Sequence, residues 1–407
     1  MRTDQVRKSE GFLVLIAALG YFVDIYDLLL FSIVRVPSLK DMGFSDQLLL
    51  AQGVRLLNYQ MIGMLLGGVA FGILADKYGR ISVLFGSILI YSLANLANAF
   101  VRDADQYILL RFIAGFGLAG ELGVGITLVT ETLSRHRRGI GTMIVGTVGV
   151  SGALLAWAVA SLFNWRTAFL LGGVMGLLLL FLRMKVLESG LYQGVCAKPV
   201  KRGDIFIVFH SAERLKRFLG GVLIGIPVWF VVGILITLSP EFAQVLGVKG
   251  SIDGGRAVLY CYIGLIFGDL VSGLLSQLLK SRRKSIAFFL LLASVGIFKY
   301  FKMLGPTADQ LYGGCIFLGF ACGYWAMFVT VAAEQFGTNL RATIATSTPN
   351  FVRGSLVPVS AAFMALKPRL GMLTAGAVVG IGVMLLAFLG LGLIQESFGA
   401  NLEFEEE

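Results

Sequence analysis

Apolar runs of about 20 residues, separated by short polar connections, recur along the whole of this 407-residue chain. A helix needs about 20 apolar residues to cross a hydrocarbon core of roughly 30 Å. Runs at 11–35, 50–75, 82–100, 107–130, 140–162, 167–184, 218–238, 256–279, 286–304, 309–333, 342–366 and 371–395 predict twelve such helices. The chain is therefore expected to be an all-α membrane protein. Its longest polar connection falls between the sixth and seventh runs, is basic and holds Pro199. This divides the chain into an N-terminal six-helix bundle over 1–184, a cytoplasmic linker over 185–217, a C-terminal six-helix bundle over 218–395 and a cytoplasmic tail over 396–407. Within the linker, Ile205 to Arg217 has the apolar-basic composition of a short helix lying on a membrane surface.

Composition agrees: 57% of residues are hydrophobic and 14% charged, against about 25% charged in soluble domains. The net charge of +10 does not point to nucleic acid, because the basic residues punctuate apolar runs. With the N-terminus in the cytoplasm, Lys and Arg predominate in the cytoplasmic connections, as topology requires. A multi-pass protein of the cell (inner) membrane, both termini cytoplasmic, is expected. The first apolar run is too long for a cleavable signal and contains Asp24 and Asp27. Cys196, Cys261, Cys315 and Cys322 lack metal or disulfide spacing and read as small core residues. His136 and His210 fall in connections, so no metal or nucleophile constellation lies at depth. Neither an enzyme nor a bound cofactor is expected.

The two halves echo each other. Glu131 to Arg138 (E-T-L-S-R-H-R-R) and Glu334 to Arg341 (E-Q-F-G-T-N-L-R) each place an acid seven residues before a base, 203 positions apart. Gly63, Gly67 and Gly72 recur as Gly264, Gly268 and Gly273, offset by 201. Gly120 and Thr127 recur as Gly323 and Thr330, again 203 apart. Several matches at nearly one offset indicate duplication, an architecture common among secondary transporters.

Residues 72–80, Gly-Ile-Leu-Ala-Asp-Lys-Tyr-Gly-Arg, carry the pattern G-x-x-x-D-x-x-G-R between the second and third runs. Arg111 opens R-x-x-x-G-x-G in the fourth. With six-plus-six helices, these motifs resemble the major facilitator superfamily. That resemblance implies a gating role for Asp76 and Arg80, for Arg111, and for the acid–base pairs Glu131 with Arg138 and Glu334 with Arg341. The matching C-terminal stretch has Gln277 where Asp76 would be, so a lock there is expected to be weaker or differently built. The fifth run carries no Gly-Pro, which the exporter-type motif of the family requires, and this argues against a drug–proton antiporter.

Charges at bilayer depth cost roughly 2.5–3.5 kcal/mol each by insertion scales and mark function. Five fall well inside the apolar runs: Asp24, Asp27, Glu121, Asp269 and Arg353. At 1.5 Å per residue, Asp24, Glu121 and Arg353 lie roughly 16–21 Å into their helices. Asp24 and Asp27 share nearly one helical face. Two carboxylates that close cannot both ionise cheaply in low dielectric, so one can bind and release a proton. Residues 21–30 and 115–121 resemble proton-coupled metabolite and phosphate symporters, implying proton-coupling roles for Asp24 or Asp27 and a cavity acid role for Glu121. Arg353 resembles the helix-eleven Arg of organic anion transporters. It offers a planar fork for carboxylate or phosphate, with Asn350 beside it and Pro349 and Gly354 loosening the helix. Tyr26, Trp229, Tyr324 and Trp325 fall at comparable depth and complete a candidate pocket.

The expected function is secondary active transport by alternating access. A small organic anion is carried in symport with a proton, by a monomer in the lipid bilayer, the proton being the coupling ion. The opposite charge logic, efflux of a cationic or drug-like compound with Arg353 merely neutralising Asp269, is the rival. A sugar or phosphate symporter is a further alternative, disfavoured for sugars by the absence of a run of Gln and Asn.

Overall fold

The computed structural model describes residues 2–133, 135–183, 208, 210–303, 305–337 and 339–399. Most of the 185–217 linker and the tail beyond 399 lie outside these residues. The first half runs α1 (Arg2–Asp41), α2 (Asp46–Tyr78) and α3 (Arg80–Asn98), then a fourth span made of α4 (Ala104–Leu118) and α5 (Glu121–Thr132). The fifth span is α6 (Arg135–Val150) with α7 (Gly152–Leu162), and the sixth is α8 (Trp165–Arg183). In the second half, α9 (Ala212–Phe230) winds into a π-helical stretch over Val231–Ile236, followed by a short α10 (Ser239–Leu246). Next come α11 (Gly254–Leu279), α12 (Arg282–Lys302) and a split tenth span, α13 (Ala308–Ala321) with α14 (Trp325–Glu334). The eleventh span is α15 (Arg341–Gly354) with α16 (Leu356–Leu370), and α17 (Met372–Leu393) is the twelfth.

Eleven of these spans are long and apolar enough to cross a membrane by composition. The exception is the eleventh, whose first helix, R-A-T-I-A-T-S-T-P-N-F-V-R-G, is polar because it faces protein rather than lipid. Its Thr343, Thr346, Ser347, Thr348, Asn350 and Arg353 are all buried.

The duplication shows in the backbone. A Cβ on Gly63 would lie 2.1 Å from the Phe112 carbonyl oxygen, and one on Gly264 would lie 2.0 Å from that of Ile316. Gly67 meets Phe116 O at 2.2 Å and Gly268 meets Phe320 O at 2.3 Å in the same way. The second span thus packs backbone-to-backbone on the fourth as the eighth does on the tenth, the close approach that small residues permit in lipid. The breaks repeat too: Ala119–Gly120 in span four answers Cys322–Tyr324 in span ten, and Ser151 in span five answers Ser355 in span eleven. These breaks are absent from the hydropathy pattern, which reads each span as continuous.

The halves touch at both ends. On the face that carries the chain ends, α2 and α5 pack on α15: a Cβ on Gly72 would lie 2.9 Å from Thr343 Cα, and one on Gly123 would lie 2.3 Å from Thr346 Cα. At the opposite face, Arg35 of α1 donates to the carbonyl oxygens of Leu49 (3.3 Å) and Thr237 (3.2 Å) and to Glu241 (2.9 Å). Ser360 of α16 donates to Asn58 of α2 at 2.9 Å. The two halves are thus in contact at both faces.

Replacing Gly264 by Val forces the Ile316 backbone away and is expected to cost about 3 kcal/mol as overpacking. Gly313→Ala, where a Cβ meets nothing within 4 Å, is expected to leave the melting temperature in detergent within a degree or so of the unmodified protein's, roughly. Equal melting temperatures for the two variants would contradict this packing.

Candidate functional site

At the centre, one guanidinium meets both halves. Arg353, in the last turn of α15, is 1% exposed. Its Nη1 donates to Asn350 Oδ1 at 3.1 Å, one turn back. Its Nη2 lies 3.9 Å from Asp24 Oδ2 of α1, an ion-pair contact too long for a hydrogen bond. Two indoles flank it, with the guanidinium carbon 5.6 Å from the Trp325 ring and 5.9 Å from the Trp229 ring. The two rings meet edge-on at 6.5 Å. Trp325 Nε1 donates across the bundles to the Tyr21 hydroxyl at 3.0 Å. Arg353 Nε and Nη2, which form the side-on fork of the guanidinium, and Trp229 Nε1 are buried donors with no hydrogen-bond acceptor among the described residues. Buried donors of this kind are rare and call for an explanation.

Asp27 does not join this group. A Cβ on Gly172 of α8 would lie 2.2 Å from Asp27 Oδ1, so the carboxylate faces into the N-terminal bundle. There it lies in the field of Arg111 and of Asp24. Arg111 donates to Asn95 Oδ1 (2.6 Å) and Asn98 Oδ1 (3.3 Å) and stacks over Phe169 at 4.6 Å. Three residues advance an α-helix by a little less than one turn, enough to aim Asp24 at Arg353 and Asp27 at Arg111. The sequence motif gives Arg111 a gating role; the structure places it beside Asp27, in the polar core of the first half. Tyr26 likewise faces away from Arg353, donating to the Ala168 carbonyl oxygen at 2.8 Å.

Glu121 is buried in the first turn of α5, directly after the span-four break. Asn350 Nδ2 donates to the Ala119 carbonyl oxygen (2.8 Å) within that break and thereby joins span four to span eleven. Tyr324 sits in the span-ten break and donates to Ile224 O at 2.8 Å, inside the second half. Asp269 accepts from the Ala326 N–H at 3.1 Å, so its charge is answered by a helix end.

A second cluster closes the face that carries the chain ends. Arg80 Nη2 bridges Asp76 (3.2 Å) and Glu131 (3.1 Å), and Arg341 reaches Glu131 at 3.6 Å from the other half. Asp76 Oδ2 accepts from the Thr343 N–H (2.7 Å) and hydroxyl (2.6 Å). Leu340, at the cap position of α15, offers no side-chain acceptor. Asp76 therefore caps α15 across the bundle boundary, where an anion is favoured by the helix dipole and the open N–H groups. The counterpart in the second half pairs Arg282 with Glu334 at 3.1 Å, with Ser276 bound to Arg282 Nη1 at 3.0 Å. Across the boundary there, a Cβ on Gly273 would stand 3.6 Å from Met143 Sδ, a looser fit than that of Gly72. The Arg138 side chain lies outside the described residues.

Tyr21, Thr343, Arg35 and Arg282 are the residues that sequence reasoning missed. Arg282 alone had a signal, lying 202 positions after Arg80.

The family model for the Major Facilitator Superfamily matches residues 17–358. The niacin transporter NiaP of Acinetobacter baylyi is 26% identical over 83% of this chain and 82% of its own. A probable 4-methylmuconolactone transporter of Cupriavidus pinatubonensis is 27% identical over 94% of this chain and 90% of its own. Among solved structures, the proton:xylose symporter XylE superposes with a TM-score of 0.75 at 17% identity, covering 97% of this chain and 98% of the other, a likeness of fold. Two six-helix halves, the 72–80 loop seated against span eleven and a match over most of the length lead to one conclusion: this chain belongs to the Major Facilitator Superfamily, as a membrane transporter and not an enzyme.

Proposed function

We propose that this protein is a proton-coupled symporter of small organic anions, specifically of planar aromatic or heteroaromatic monocarboxylates. The observation that carries the reading is the open Nε–Nη2 edge of Arg353 between the Trp229 and Trp325 rings. That edge matches the two oxygens of one carboxylate, and the indoles offer faces to a flat ring. Niacin, the compound in the name of one relative, is such a molecule.

Coupling follows from competition. Asp24 is the counter-charge of Arg353 in the substrate-free state. A substrate carboxylate on the fork displaces it, and an uncompensated buried charge costs about 3–5 kcal/mol. Asp24 then takes a proton, with Asp27 one turn away disfavouring a second negative charge. The loaded centre keeps the same net charge as the empty one. Reorientation follows release of one of the two closures: the Arg35 contacts on the outer face, or the Asp76–Arg80–Glu131–Arg341 cluster on the cytoplasmic face. The cation-efflux reading needs Arg353 neutralised by Asp269; Asp269 instead accepts from Ala326, and Arg353 faces Asp24.

Charge-assisted hydrogen bonds contribute about 1.5–3 kcal/mol, so Arg353→Ala is expected to weaken nicotinate binding roughly 10- to 150-fold. Arg353→Lys keeps the charge but not the fork and is expected to recover little. Calorimetry on purified protein checks both, and nicotinate and benzoate binding unchanged in Arg353→Ala would overturn the assignment.

In proteoliposomes, Asp24→Asn is expected to retain nicotinate counterflow while losing accumulation driven by a proton gradient. Accumulation that survives in Asp24→Asn would remove Asp24 from the coupling step.

Loss of the cap in Asp76→Ala, about 1 kcal/mol in itself, leaves Arg80 partly unpaired and is expected to open the cytoplasmic closure. The readout is alkylation of a cysteine at Ser347, behind the cluster, in a cysteine-free background. The reagent is applied from the Asp76 side, and no gain in alkylation would show the cluster is not the lock.

A further inference from the structure

Asp269 is, with Glu121, a membrane-depth charge that the transport cycle above does not use. It lies in α11, fully packed, and faces the break in span ten. The helix after that break, α14, begins at Trp325, and Tyr324 at its cap position provides no side-chain acceptor. Asp269 Oδ1 accepts from the Ala326 N–H at 3.1 Å, and the Trp325 N–H also faces the carboxylate. The break is pressed against the same residue: a Cβ on Gly323 would lie 2.3 Å from Gly268 Cα and 2.5 Å from the Asp269 nitrogen. The Trp325 backbone is therefore fixed by its neighbour helix in position and, through the carboxylate, in direction. Its indole then spans the 5.6 Å to Arg353 and donates to Tyr21. Asp269 Oδ2 has no hydrogen-bond partner among the described residues. It lines a cavity of about 20 Å³ with Thr142, Thr330 and Arg282, room for about one water.

The geometry points to Asp269 as a positioning residue for substrate recognition: it caps α14 from a neighbouring helix and so sets where the Trp325 indole stands against Arg353. It touches neither substrate nor proton. The cap needs an oxygen acceptor at this position and not a titrating acid. This rests on the carboxylate site proposed above, and its test has an arm that needs no substrate.

In a protein with Trp157, Trp165 and Trp229 changed to Phe, Trp325 is the sole indole. Asp269→Ala in that background is expected to shift Trp325 emission to the red and to increase acrylamide quenching, whereas Asp269→Asn, which keeps an acceptor oxygen, is expected to match the parent. In proteoliposomes with all four tryptophans, Asp269→Ala is expected to raise the KM for nicotinate roughly fivefold, in line with the loss of a helix cap, with Asp269→Asn near the parent in KM and in pH profile. Trp325 emission unchanged in Asp269→Ala would overturn the proposal, as would an Asp269→Asn protein that matches Asp269→Ala in emission or loses proton-driven accumulation. The fluorescence arm stands or falls on Trp325 alone, so a protein that ignores nicotinate but shows the red shift sinks the substrate assignment and leaves the positioning role intact.

Discussion

A guanidinium fixed in the middle of the membrane cannot shed its charge, so everything around it must answer that charge in every state of the transporter. Arg353 is answered here by Asn350 on its own helix, by two indole faces and by Asp24 at 3.9 Å from the other half. Because one partner comes from each bundle, the contact that neutralises the charge also draws the halves together. In the proposed mechanism, a substrate anion that replaced Asp24 at the fork would change both the electrostatics and the mechanical link between the bundles.

The same economy appears at the helix breaks. Spans four, five, ten and eleven are each two helices, and any N–H group freed at a break must find its partner within the protein, because lipid cannot satisfy it. One of the new helix starts, α14, is capped by a carboxylate from another span, Asp269, and Asp76 does the same for α15 where span eleven begins. These caps divide the labour. Asp76 crosses the boundary between halves, so its bond must break for the halves to part on the face that carries the chain ends. Asp269 stays within the second half, so a parting of the halves does not require its bond to break. The duplicated ancestry built two similar scaffolds on which these two acids are unequally placed: Asp76 joins the halves, with Gln277 where a second Asp76 would stand, and Asp269 joins two spans of one half.

How much of this could be read from the sequence depended on whether the cue was local. Twelve spans, the halves and the Gly63/Gly264 and Gly67/Gly268 pairs were legible because apolar length and small residues at a fixed offset are local properties with one packing solution. The depth of Arg353 was legible because a lone base well inside an apolar run stands out against its neighbours. What stayed hidden was direction. Asp24 and Asp27 read as one face, yet less than a turn of helix sends one to Arg353 and the other toward Arg111. Tyr26 and Tyr324 had the right depth but face into their own halves, whereas Tyr21 bridges to Trp325. Thr343 and Arg35 carried no cue, since each acts through a partner about 200 or more positions away.

Proton uptake on ligand binding reaches the central point most directly. It is measured as the buffer dependence of the calorimetric heat when nicotinate binds the detergent-solubilised protein. If the substrate carboxylate takes the Arg353 edge from Asp24, about one proton is taken up per nicotinate near pH 7, and close to none in Asp24→Asn, which still binds. Nicotinate binding without proton uptake, or uptake undiminished in Asp24→Asn, would contradict the shared-arginine mechanism.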